Sequence, residues 1–121
     1  MSRLLRAIAL IVLSYMFLVA HVWAHAHLQS AQPADQAVVV APAELHLHFS
    51  EGLNLPFSGI KLTGPGAQDI KLGAARLMED GNTLMVPLPV RLAPGGYTVD
   101  WHALSVDGHK TSGSYQFSVA P

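Results

Sequence analysis

The sequence predicts an all-β fold. Two kinds of observation predict it: runs in which apolar and polar residues alternate, and turn clusters that separate those runs. In residues 44–50, Leu45, Leu47 and Phe49 alternate with Glu44, His46, His48 and Ser50, the period of a half-buried strand. Ile60 and Leu62 form a short strand ending at Thr63-Gly64-Pro65-Gly66, a turn cluster. Residues 74–79 read as either a helical turn or a further strand. Asp80-Gly81 marks a tight hairpin before a strand over residues 83–88. Pro87 and Pro89 place the end of that strand at a sheet edge. After Pro94-Gly95-Gly96, Tyr97, Val99 and Trp101 alternate with Thr98, Asp100 and His102. Residues 113–119 put Tyr115, Phe117 and Val119 on one face. With residues 28–31 the total is about seven short strands, the number of a Greek-key sandwich or barrel.

The first residues have the three parts of an export signal. Arg3 and Arg6 supply the positive charge, residues 7–20 the apolar stretch, and Val22-Trp23-Ala24 the cut. The alternative is an uncleaved anchor. Residues 7–24 would make about 27 Å of helix at ~1.5 Å per residue, near the lower limit for a span. His21 argues against it. The expected division is a cleaved signal peptide, 1–24, and one β domain, 25–121. A second cut after Ala26 is the alternative, because Ala24-His25-Ala26 also fits the cleavage pattern.

Cleavage after Ala24 leaves 97 of the 121 residues, enough for one small core. Arg3 and Arg6 leave with the signal. Five basic residues then face eight acidic ones, and the net charge moves from −1 to −3. That balance excludes a basic nucleic-acid surface. No segment after the signal is apolar enough to span a membrane. Cysteine is absent, which excludes disulfides, thiolate ligands and a lipidated N-terminus.

Ligand-type residues gather at the two ends of the expected domain. A chain that begins at His25 offers a metal two nitrogens from one residue, the α-amine and imidazole Nδ1. Near the other end stands Asp107-Gly108-His109. In an extended segment residues 107 and 109 point the same way, as would Trp101, Ala103 and Ser105. Read alone, this short motif is better taken as an Asx turn with a surface histidine. Imidazole and amine nitrogens with one carboxylate suit Cu(II), which leads the divalent series, with Zn(II) as competitor. Cu(I) prefers sulfur, and the mature part holds only Met78 and Met85. His27 opens an alternative, a local Cu(II) site built on the third residue of a free N-terminus. Its simpler reading is an exposed strand residue. His46 and His48, with Glu44 beside them, read as the solvated face of a strand, with a second weak metal site as the alternative. His102 reads as surface.

Several stretches carry a family resemblance: HAHLQSAQPAD, ELHLHFSEGL, FSGIKL and above all GGYTVDWHALSVDGHKTSGSYQFSV. In the last, Trp101, Ala103, Ser105, Asp107, His109, Gly113 and Phe117 keep a specific spacing. The chain resembles the CopC-type periplasmic copper-binding proteins over essentially all of its mature part. The resemblance implies a seven-stranded Greek-key barrel of immunoglobulin-like, cupredoxin-like appearance. It implies one Cu(II) per chain, held by His25, Asp107 and His109, with Glu51 near the metal in some members. It implies a carrier or buffer of copper rather than an enzyme, and a CopD-like inner-membrane partner. Other members have a methionine-rich central loop for Cu(I), where this chain has TGPGAQDIKLGAARLMEDG. Two other classes stay open. One is a small oxidative copper enzyme built on a histidine brace, the other a metal-free interaction module.

Overall fold

A computed structural model describes residues 26–121. Nine strands are described, in two sheets: β1 (Leu28–Gln32), β2 (Val38–Val39), β3 (Glu44–Phe49), β4 (Gly59–Thr63), β5 (Asp69–Ile70), β6 (Arg76–Leu77), β7 (Thr83–Pro87), β8 (Gly95–Leu104) and β9 (Lys110–Val119). One sheet has the order β1-β3-β7-β6 and the other β2-β9-β8-β4-β5. The pairing is antiparallel except for β2 on β9. No helix among the described residues is long and apolar enough to cross a membrane.

The alternation seen in the sequence decides which side of each sheet faces inward. Leu45, Leu47 and Phe49 on β3 are fully buried, as is Val99 on β8. Tyr115, Phe117 and Val119 on β9 share the inward face. Phe117 stacks on Tyr97 across the β8–β9 ladder, with centroids 5.5 Å apart and planes at 14°. The two sheets thus close on one apolar layer, whose burial is the main favourable contribution to folding.

Three details differ from the sequence reading. The extra strands β2 and β5 are two-residue pieces at sheet edges, while β6, also at an edge, takes the strand alternative for residues 74–79. The last strand begins at Lys110, three residues earlier than its alternation suggests. Most instructive is β7, which lies inside its sheet between β3 and β6. Pro87 is its final residue, opposite Glu44 and beyond the reach of β6, which pairs only with Met85 and Leu84. A proline needs a place without a ladder partner for its nitrogen, and the end of an inner strand provides one as well as an edge does.

The expected hairpin joins β6 to β7. Gly81 takes a positive φ of 71° there. Asp80 organises the turn: its carboxylate accepts the backbone N–H groups of Asn82 and Thr83 and the Thr83 hydroxyl.

Candidate metal centre

The long hairpin β8–β9 carries Asp107 and His109. Ladder pairing runs from Gly95↔Val119 up to Leu104↔Lys110, leaving Ser105 to His109 as the connection. There the chain turns rather than continuing extended. Gly108 N–H donates to the Ser105 carbonyl (2.9 Å), and Ser105 N–H to the His109 carbonyl (2.9 Å). Gly108 sits at φ 90°, a conformation that favours glycine. The parity argument therefore holds for Ala103 and Ser105, which point inward and are buried, and stops there. Asp107 and His109 share a side because of the turn's own hydrogen bonds.

Ser105 is the organiser of this turn. Its side chain is buried, and its hydroxyl bonds to Asp107 Oδ1. Ser105 Oγ in turn accepts the His109 N–H at 3.1 Å. His109 Nδ1 stands 3.2 Å from Asp107 Oδ1. The Ser105 hydroxyl holds the Asp107 carboxyl below its ordinary value, with His109 adding to the effect and partial desolvation opposing it. Asp107 is thus an anion ready to bind a cation, next to an imidazole. A carboxylate and an imidazole fit the borderline divalent ions of the first transition series.

Two further segments meet this turn. The loop after β3 lies against it: Leu53 bridges Ser105, and Val106 N–H donates to the Gly52 carbonyl at 3.0 Å. Glu51, half-buried, is the neighbour of Gly52 in that loop. The start of the described chain is the second segment. Thr111, two residues past His109, donates its hydroxyl to the Ala26 carbonyl at 2.9 Å, and Ala26 is fully buried. His27 is exposed, and its backbone is fastened on both sides. Its N–H donates to Ser50 Oγ at 2.8 Å, and its carbonyl accepts the Ser50 N–H at 2.8 Å.

His25 lies outside the described residues. Among the described residues no group of three His, Asp or Glu side chains is placed to hold a metal ion. Asp107 and His109 stand together, while Glu51 is brought to the neighbouring loop. His102 is exposed on β8. Sequence reasoning gave no role to Ser105 or Thr111. Ser105 had a usable signal, a serine two residues before the acid–histidine pair. Thr111 had none, since its partner is 85 residues away.

A two-sheet sandwich with a carboxylate–imidazole pair on a hairpin turn, close to the start of the described chain, fits a class of small metal-binding β proteins. The chain belongs to the CopC domain family, which matches residues 28–120. It is 52% identical over 113 residues to Protein YobA of Escherichia coli (strain K12), covering 92% of this chain and 91% of that protein. It is 37% identical over 102 residues to Copper resistance protein C of Pseudomonas syringae pv. tomato, covering 79% of this chain and 81% of that one. Among solved structures, PcoC, a methionine-rich copper resistance protein from Escherichia coli, superposes with a TM-score of 0.74. The identity is 35%, and the match covers 79% of this chain and 99% of that one. This chain is not methionine-rich: it has four methionines, of which only Met78 and Met85 follow residue 25.

Proposed function

We propose that this protein is a periplasmic Cu(II) carrier or buffer, with copper as its cargo and no turnover, made as a precursor whose residues 1–24 are removed. His25 gives its α-amine and imidazole, and Asp107 and His109 complete the site. Glu51 lies in the loop next to this pair. The observation that carries this reading is the Thr111–Ala26 bond. It fastens the residue joined to His25 two positions from His109. Among the described residues Asp107 and His109 supply a pair of donors there, to which His25 would add its amine and imidazole. The resemblance to CopC-type proteins adds a CopD-like inner-membrane protein as the recipient or source of the copper.

The local peptide site at His27 has a physical objection. It needs the amide nitrogens of residues 26 and 27 deprotonated and bound to metal. The His27 N–H is already given to Ser50. Opening that bond and its reciprocal would unfasten the first strand.

Copper titration against a competing chelator, with electron paramagnetic resonance on each variant, tests the assignment. His25→Ala and His109→Ala should each weaken Cu(II) binding strongly and change the nitrogen count, while His27→Ala should leave both unchanged. If His109→Ala leaves spectrum and affinity as they were and His27→Ala abolishes binding, the assignment is wrong. Repeating the titration under reducing conditions tests the oxidation state, and equal retention of copper in both would refute the preference for Cu(II).

A further inference from the structure

The outer face of the β1-β3-β7-β6 sheet carries two histidines that the site above does not use. His46 and His48 alternate with the buried Leu45, Leu47 and Phe49, so both rings stand on the side away from the core. Residues two apart on one strand are separated by roughly 6.6 Å, twice the rise of ~3.3 Å per residue. Two imidazoles at that spacing can reach one ion, each at about 2.0–2.1 Å. Both rings line one shallow cavity of about 290 Å³, with Ser30 and Gln32 of β1 on one side and Thr83 of β7 on the other.

The hydrogen bonds decide which ring nitrogens are left for a metal. His46 Nε2 is 2.7 Å from Glu44 Oε1. An ionised carboxylate only accepts, so Nε2 carries the proton and the neutral ring keeps its lone pair on Nδ1. His48 Nδ1 is 2.8 Å from Thr83 Oγ1, and that hydroxyl gives its own proton to Asp80 Oδ2 at 2.7 Å. Thr83 therefore accepts from His48, which places the proton on Nδ1 and the lone pair on Nε2. Each histidine donates to an acidic chain behind it, directly to Glu44 or through Thr83 to Asp80. This is the arrangement in which the outer partners of metal-binding histidines fix ring orientation and tautomer.

We infer that His46 and His48 form a second divalent-metal site on the outer face of this sheet, a two-imidazole chelate for Cu(II). Glu44 and the Thr83–Asp80 pair orient the rings, and water completes the coordination. With two protein donors this site binds more weakly than the one at the hairpin. Cu(II) is the ion of choice because it leads the divalent series on nitrogen ligands. The site shares no residue with the hairpin turn, so it stands whether or not His25 is a ligand there.

The test is a Cu(II) titration of the mature protein past one equivalent, read by calorimetry and by electron paramagnetic resonance. A second, weaker equivalent with two nitrogen donors is expected. His46→Ala and His48→Ala should each weaken it at least tenfold and leave the first equivalent unchanged, which also shows that the variants are folded. His102→Ala, on the exposed face of β8, should change nothing. Long-range nitrogen–proton spectra of the metal-free protein should show His46 protonated on Nε2 and His48 on Nδ1, and Thr83→Val should disturb only His48. A titration that ends at one equivalent overturns the inference, as does a second equivalent that survives both histidine substitutions. Zn(II) run in parallel should fill the same site more weakly, and Zn(II) binding tighter than Cu(II) would refute the choice of ion.

Discussion

Removing one buried hydroxyl, in Ser105→Ala, should loosen the proposed metal centre without touching a proposed ligand. The Ser105 oxygen holds the His109 amide at 3.1 Å and bonds to Asp107. Losing the neutral bond from the His109 amide costs roughly 0.5–1.5 kcal/mol, while water can replace the hydroxyl on the exposed Asp107 carboxylate. His109 is exposed enough for water to replace part of it, so a stability loss of about 1 kcal/mol is expected. In a domain of this size that is a fall in melting temperature of roughly 4–8 °C. The effect on copper should be larger than a bystander's. Outer partners of metal ligands are typically worth 10–100-fold in affinity. The backbone bonds between Ser105, Gly108 and His109 survive the change. The lower end applies, about tenfold or ~1.4 kcal/mol. The assay is competition titration of Cu(II) with carbon-detected titration of the Asp107 carboxyl. That carboxyl should move up toward the ordinary value of 3.8, because its main stabilising donor is gone. Ser112→Ala, an exposed hydroxyl on β9, is the control. An Asp107 titration that does not move, with copper affinity within twofold of the parent, refutes the role given to Ser105.

Phe117→Ala should cost about 3–5 kcal/mol, since it removes a fully packed ring and its stack on Tyr97; chemical denaturation checks it. Gly113→Ala should cost roughly 1–3 kcal/mol by overpacking, because a Cβ there would lie 2.6 Å from Trp101 Cζ2. Trp101 would have to leave its edge contact with Phe49, at a centroid distance of 5.1 Å, so tryptophan fluorescence should shift along with the melt. Asp80 and Asp107 both have lowered pKa values, Asp80 chiefly through the Thr83 hydroxyl and Asp107 chiefly through that of Ser105. A folded value below the unfolded one gives stability that is present above about pH 4 and is lost as pH falls through the lowered value. Denaturation of metal-free protein should therefore change little from these groups between pH 5 and 7 and weaken below about pH 4; Asp80→Asn should flatten that acid limb.

What the sequence disclosed followed from one-sided burial. Strands β3, β8 and β9 each put one face on the core, so alternation in Leu45 to Phe49 or Tyr115 to Val119 was enough to orient them. The two-residue strands β2 and β5 have no period to read, and they exist through pairing with β9 and β4. The prolines of β7 were legible as a strand end and not as a position in the sheet, because both an edge and an inner terminus spare the missing N–H. At the site, the spacing of Asp107 and His109 announced a pair, but their common direction comes from the Ser105 turn rather than from strand alternation. Their closeness to Ala26 was implied only by the family resemblance and not by spacing, because it depends on a bond between residues 26 and 111.

The bond between Thr111 and Ala26 also bears on proteolysis. The peptide unit joining Ala26 to His27 has its carbonyl held by Thr111 and its N–H held by Ser50. A peptidase must draw such a unit into an extended, accessible pose, and here both of its polar groups are already engaged and the residue before it is buried. Exopeptidase trimming of the folded domain should therefore stall at this bond. A chain cut there before folding would start at His27 and lack both a core residue and the acceptor for Thr111. It would fold into a looser product, open to clearance. N-terminal sequencing after aminopeptidase treatment of the folded protein checks this, and rapid loss of Ala26 would refute it.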